Sequence, residues 1–296
     1  MFTTQDLVNN IKKVYLQKDR FEMQKHIADF HDESGAYVWD YFNLFIQERI
    51  QNQAPKLYHI GWPFDLISNK APQRALIFQN GELLFDQDIT HEVNVRTAAM
   101  NFVVLSALWV DSLGSKKILL VGTGNVWKEF LKQLKDFDDS VTSLDYSNTR
   151  DKDEEFESLG ASVGISCNPV QLTSLESYDI IVLHTSSRKP VISKELFATV
   201  KSTAIVTSFM GGHGEIEWSV YDGQAQVIVD RAQTLKDAKE LALQIENESF
   251  SKDSVILLDE LLSETKKPNN NKPIIYRSTG APMQSLAILQ LMAWSH

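Results

Sequence analysis

The sequence predicts an α/β chain: a doubly wound parallel sheet with a second α+β lobe formed from both chain ends. Three observations predict it. From Lys116 onward, apolar β-branched runs of strand length alternate with helical stretches, as in a parallel sheet covered on both faces. Before that point, residues 35 to 86 hold short runs alternating apolar and polar, the pattern of antiparallel strands. After the polar loop "KKPNNNKP" (266 to 273), a short strand, a Gly-Pro turn and an apolar helix close the chain. The expected division is 1–112 plus 277–296 for the second lobe and 113–276 for the parallel-sheet domain.

The first lobe opens with "TTQDLVNNIKKVYLQ", where Leu7, Ile11 and Val14 share a helical face and Thr3 or Thr4 caps it. "GAYVWDYFNLFI", "PKLYHIGW" and "RALIFQNGELLF" read as strands, the last turning at Asn80-Gly81. "THEVNVRTAAMNFVVLSALWV" follows as a long helix capped by Thr90. In the second region "KKILLVGTG", "SVTSLDY", "YDIIVLHTS", "TAIVTSFMGG" and "AQVIVDR" read as strands. "NVWKEFLKQLKDF", "TRDKDEEFESLG", "SKELFATV" and "TLKDAKELALQI" read as the helices between them.

Composition narrows the partners. A formal charge of −10, with no long run of Lys or Arg, argues against nucleic acid, whose phosphates need a basic face. "MFTTQDLVNN" has no apolar signal core, and the longest apolar stretch, "MNFVVLSALWV", is too short for a bilayer. Cys167 stands alone, which excludes an internal disulfide and fits a reducing, cytoplasmic setting. The 7 histidines are scattered, so no metal site is indicated.

"VGTGNVWKEF" carries the main chemical signal. Gly122 and Gly124 follow an apolar strand and open a helix, where backbone amides suit a pyrophosphate. Thr123, Asn125 and Val126 complete the cofactor-binding turn of a Rossmann-type domain. Asp145 ends the next strand at the spacing of a ribose-binding acid, which favours NAD, with NADP possible through Ser147, Asn148 and Arg150. Trp127 fills the third slot, where the pattern wants a small residue; it is expected to pack in the core.

With this turn, "VRTAAMNFVVLSAL", "DIIVLHTSSRKPVI" and "IIYRSTGAPMQSLAIL", the chain resembles the ornithine cyclodeaminase/mu-crystallin family. That family has an R-T-A-A helix, a G-x-G-x-x-A turn, a DIIV-x-x-T-x-S-x-x-P strand and an S-x-G-x-x-x-Q-D segment in this order. The resemblance implies a homodimer and NAD(P)-linked chemistry at the Cα–N bond of an amino or imino acid. It implies that Arg96 clamps the substrate carboxylate in two places, as a guanidinium fork can. It aligns Lys56 with a lysine of the substrate lobe and Gly280 with a glycine near the substrate. Thr185, Ser186 and Met210 fall beside the cofactor; His184 is a candidate proton donor, although a hydrogen-bonded core histidine is the more common outcome at such a position. The apolar faces of the Arg96 helix and of "SLAILQLMAW" are expected to meet in the dimer.

The chain departs from the family in places that bear on mechanism. The cyclodeaminases carry an acid in G-x-D-x-P-G-K-x-E-L; aligning Glu217 with the last glutamate puts Gly211 in the acid's place, with His213 and Glu215 nearby. Ser285 replaces the Asp of Q-D. The usual N-terminal strand is absent, and only Lys25 and His26 lie where a substrate-lobe arginine is expected. Cyclodeamination needs a carboxylate to manage several protons, whereas reducing an imine needs a clamp, an oriented nicotinamide and one proton. The expected function is therefore an NAD-linked imino-acid reductase or amino-acid dehydrogenase. A cyclodeaminase releasing ammonia and a non-catalytic NAD(P)H-binding protein remain as alternatives.

Overall fold

A computed structural model describes residues 2–31, 37–51, 53–61, 73–108, 112–122, 124–148, 153–185, 187, 189–209, 214–221, 223–247, 249–269 and 271–294, without the side chains of 25–31, 37–43 and 294. The chain forms two compact units: residues 1–2, 10–96 and 282–296, and residues 3–9 and 97–281.

The first unit holds most of helix α1 (Thr4–Leu16), then strands β1 (Phe21–His31), β2 (Tyr37–Glu48), β3 (Lys56–Gly61), β4 (Arg74–Gln79) and β5 (Glu82–Asp88). Helix α2 (Thr90–Ala107) passes from the first unit into the second. Of the two candidate caps of α1, Thr3 does the work. Its hydroxyl accepts from Asp6 N at 3.1 Å while Asp6 accepts from Thr3 N at 2.9 Å, a reciprocal box that holds the Asp6 carboxyl below its usual range. At α2, Thr90 is the first helical residue; Asp88 accepts its N–H at 2.8 Å, and its own hydroxyl accepts from Gln73 N.

The five strands form an antiparallel meander in chain order. The β4–β5 turn falls at Asn80 and Gly81, both at positive φ (55° and 81°) as a two-residue hairpin requires. Strand β1, not anticipated from the sequence, pairs with β2 from Phe21↔Glu48 to His31↔Tyr37 and forms a sheet edge. Its charges weaken the apolar alternation, as expected of an edge strand that must resist pairing with another chain. Leu44, Ile46, Tyr58, Ile60, Ala75 and Ile77 are buried on one face, while Phe45 and Leu57 remain 47% exposed on the other.

In the second unit the strands are β6 (Ile118–Val121), β7 (Ser143–Ser147), β8 (Ser166–Pro169), β9 (Ile180–Leu183), β10 (Ile205–Ser208), β11 (Gln226–Val229), β12 (Ile256–Leu257) and β13 (Ile274–Arg277). All pairs are parallel, in the order β12-β11-β13-β10-β9-β6-β7-β8. Chain direction reverses at β6, so its carboxyl end is the switch point of a doubly wound sheet. The helices are α3 (Asn125–Phe137), α4 (Asp153–Val163), α5 (Lys194–Phe197), α6 (Thr234–Asp237), α7 (Lys239–Glu246) and α8 (Leu258–Leu262); α9 (Pro282–Trp294) returns to the first unit.

Two features differ from expectation here. "TLKDAKELALQI" is two helices, because Ala238 is extended (φ −84°, ψ 102°) between α6 and α7. Strands β8 and β12 and helix α8 have no strong sequence signal; the two strands are the outer edges of the sheet and only 4 and 2 residues long. No described helix is long and apolar enough to cross a membrane.

Candidate functional site

The turn after β6 is built by close backbone approach. Gly122 has φ +110°, and a Cβ there would lie 2.3 Å from His184 O, so only glycine fits. Its N–H donates to Ser147 O at 3.0 Å, tying the turn to the end of β7. Gly124 differs: it is extended, and its Cβ would meet only His184 O at 3.7 Å. Protein packing does not require glycine there, whereas a ligand approaching the backbone would. Gly124 is also the N-cap of α3 and makes no side-chain cap, leaving the first helical amides of Asn125 and Val126 without one.

Trp127, next in line, is completely buried and turns sideways. Its ring stacks on Phe156 of α4 at 3.9 Å, and Phe156 stacks on Tyr146 of β7 at 4.1 Å. The large third residue is thus accommodated between α3, α4 and β7, as core packing.

Asp145 does not lie at the turn. It pairs in register with Leu119, three residues before Gly122, or about 10 Å along the strand. Its carboxylate is occupied by Tyr178 OH at 3.0 Å, Lys117 Nζ at 3.5 Å and Asn168 Nδ2 at 3.4 Å. Lys117 and Tyr178 precede β6 and β9, at the amino ends of the strands. The sequence spacing was right for the strand but not for the side chain: Ser147 and Asn148, not Asp145, end β7 beside Gly122.

The carboxyl edge of the sheet is fastened by a residue that spacing alone did not assign. Glu215 is fully buried and accepts four hydrogen bonds: from Thr185 N (2.7 Å), Thr185 Oγ1 (2.8 Å), Ser208 Oγ (2.8 Å) and Phe209 N (3.0 Å). It ties together the chain leaving β9 and β10. Glu217, in contrast, accepts from Lys194 N at the start of α5 and from Ser219. If the family's E-L is aligned on Glu215-Ile216 instead of Glu217, the acid's place falls at Phe209 rather than Gly211. Phe209 stacks on His184 at 4.8 Å and meets Tyr276 edge-on at 5.8 Å. In either register no carboxylate stands there. Thr123, Ser186, Met210, Gly211 and His213 lie outside the described residues.

His184 is a core histidine, not a proton donor. Burial drives its pKa down to about 3, so the ring is neutral at pH 7, and Asn101 Nδ2 donates to Nε2 at 3.1 Å. Asn101 in turn accepts from Thr207 Oγ1 at 2.7 Å. Thr185, which the sequence placed near a cofactor, has its methyl against Gly122 and its hydroxyl on Glu215.

In the first unit, Arg96 Nη1 donates to Gln284 Oε1 at 2.6 Å, and Gln284, fully buried, donates to Tyr15 OH at 3.3 Å. The R-T-A-A helix and the Q of the S-x-G-x-x-x-Q segment thus meet directly. Lys56 is partly buried and aligns with Tyr58 and Ile60 on the inward face of β3. Gly280, in the second unit, has φ +81° and donates to Ser278 Oγ at 3.2 Å; Ser278 is fixed to buried Asp230. Lys25 and His26 fall on β1. No group of three or more His, Cys, Asp and Glu among the described residues could hold a metal ion.

One unit with a doubly wound parallel sheet and a glycine turn at its switch point, and another with a five-stranded antiparallel sheet, define a two-unit Rossmann-type chain. Its fold is that of the ornithine cyclodeaminase/mu-crystallin-type enzymes. It is similar to Thermococcus litoralis Delta(1)-pyrroline-2-carboxylate reductase in complex with NADH and L-proline (TM-score 0.79, 15% identity, covering 99% of this chain and 93% of that one). It is similar to the iminosuccinate reductase of Paracoccus denitrificans in complex with NAD+ (TM-score 0.79, 17% identity, 100% and 93%). A probable ornithine cyclodeaminase from Bordetella pertussis Tohama I shares the fold as well (TM-score 0.76, 19% identity, 99% and 92%). No protein-family model and no curated protein sequence matches the chain.

Proposed function

We propose that the protein is an NADH-dependent oxidoreductase that reduces an imine bearing an α-carboxylate to the corresponding amino acid. The observation that carries this reading is the pairing of an open glycine turn with the Arg96–Gln284 contact, while the acid's place holds Phe209. Two of the structural neighbours are a pyrroline-carboxylate reductase with bound NADH and an iminosuccinate reductase with bound NAD+, which supports the same chemistry here.

The turn fits a dinucleotide: Gly124 leaves its backbone open, and the start of α3 offers amides to a pyrophosphate. A bound nicotinamide would supply hydride chemistry. Arg96 holds the substrate carboxylate, and Gln284 fixes one edge of its guanidinium so that the fork keeps one orientation. Lys56, on the inward face of β3, is the assigned proton source for the imine nitrogen. By the family resemblance, Gly280 is assigned to the substrate and Thr185 to the cofactor; Thr123, Ser186 and Met210, assigned to the cofactor from the sequence, lie outside the described residues. With no carboxylate at Phe209 or Gly211, cyclodeamination is the weaker reading. Binding of NADH without turnover is a second reading, favoured by a His184 that stays neutral and locked to Asn101.

The assay follows NADH loss with cyclic imino acids, or keto acids plus amines, beside proline and ammonia formation from ornithine. We expect turnover of an imino acid and none of ornithine. Arg96→Ala loses a charge-assisted contact of about 1.5–3 kcal/mol, so KM should rise roughly tenfold to a hundredfold while NADH affinity stays unchanged. Ornithine turnover would reverse the assignment.

We also propose a homodimer. Residues 282–289 of α9 and 98–105 of α2 are already buried within one chain, so these stretches are not offered as the surface that needs a partner, unlike in the sequence expectation. The exposed Phe45, Leu57 and Leu83 on the open face of the antiparallel sheet supply it instead. Sedimentation should give a dimer at micromolar concentration, and Phe45→Asp should shift it towards monomer. The single Cys167, buried, suits a cytoplasmic setting.

A further inference from the structure

We propose that Asp153, and not Asp145, is the acid that selects NADH over NADPH; this rests on the dinucleotide reading above. The ribose end of a dinucleotide lies where the first glycine meets the end of the next strand. Here that place is fixed by the Gly122 N–H bond to Ser147 O at 3.0 Å. Asp145 is level with Leu119, and its carboxylate is held by Tyr178, Lys117 and Asn168. It cannot serve both ends of the strand.

A second carboxylate takes its place. Asn148 follows Ser147 directly, and its side-chain amide donates to Asp153 Oδ1 at 3.2 Å. Tyr146 OH donates to the same oxygen at 2.7 Å. Both donors converge on Oδ1, and Oδ2 accepts no hydrogen bond among the described residues. Asp153 is exposed, in the first turn of α4, so the free oxygen is accessible. The neighbouring Glu155 is committed to Lys128. A carboxylate oriented by two donors, one of them on the residue that follows Ser147, accepts from ribose hydroxyls and repels a 2′-phosphate.

Fluorescence titration of NADH and NADPH decides between the two acids, using the wild type, Asp153→Asn and Asp145→Asn. The wild type is expected to prefer NADH. Asp153→Asn should shrink that preference roughly tenfold to a hundredfold, the range of a lost charge-assisted bond. Asp145→Asn should leave the ratio unchanged, and the Asp153→Asn arm stands by itself if that variant does not fold. Equal affinities in the wild type, an unchanged ratio in Asp153→Asn, or a shifted ratio in Asp145→Asn overturns the proposal while leaving the dinucleotide reading intact. A wild type that binds neither cofactor overturns the dinucleotide reading itself.

Discussion

His184 shows how one residue's surroundings decide its role. Its position at the end of β9, in a polar "HTSS" stretch, suggests chemistry, yet burial and the Asn101 contact make it a structural acceptor. Its pKa, depressed to about 3, has a consequence for stability. Between that value and the ordinary value near 6.5, the unfolded chain binds a proton that the folded chain excludes, so stability falls as pH drops through this window. The contribution is fully present above about pH 6.5, with a slope of at most about 1.4 kcal/mol per pH unit. Thermal or urea melts from pH 7 to pH 4 should therefore be steeper for the wild type than for His184→Gln. Parallel slopes would mean the ring is protonated in the fold. Asp145 makes the complementary point: residue spacing located it on the correct strand, but spacing does not reveal that Tyr178 and Lys117 reach it from the strands' other ends.

At the scale of elements, the clearest sequence signals are the buried central strands and the amphipathic helix after the turn. Strands β6 and β9 are apolar and buried at every position, and such uninterrupted apolar runs are easily read. The edges β1, β8 and β12 are mixed in composition or very short, because an edge strand needs little apolar surface and benefits from charge. Glu215 was harder to find, since its role depends on amides and hydroxyls brought together only when β9 and β10 align. The Trp127–Phe156–Tyr146 stack belongs to this scale, joining α3, α4 and β7. Trp127→Ala removes one end of that stack and leaves a cavity, and should cost about 3–5 kcal/mol in chemical denaturation. Trp127→Phe keeps a stacked ring and should cost clearly less; equal losses would show that a ring retained there contributes nothing to the joint.

At the scale of the whole molecule, the fold class was legible because two periodicities divide the chain: alternation before α2 and strand–helix repetition after it. The chemistry was legible only in part. The glycine turn and Arg96 were singled out from motifs, and the structure adds Gln284 as a residue that meets Arg96. The buried Glu215, which accepts from Thr185 and Ser208, could not be picked out from spacing. The proposed function joins these features as hydride delivery to an imine carbon beside a carboxylate held by Arg96. The most direct test is isotope transfer: single-turnover reaction of the protein with a cyclic imino acid and NADH carrying two deuteriums at the nicotinamide C4, with the product analysed by mass spectrometry and NMR. The account predicts one deuterium at Cα of the amino acid formed. A product without deuterium at Cα, or deuterated NADH left unconsumed by every imino acid tried, would contradict it.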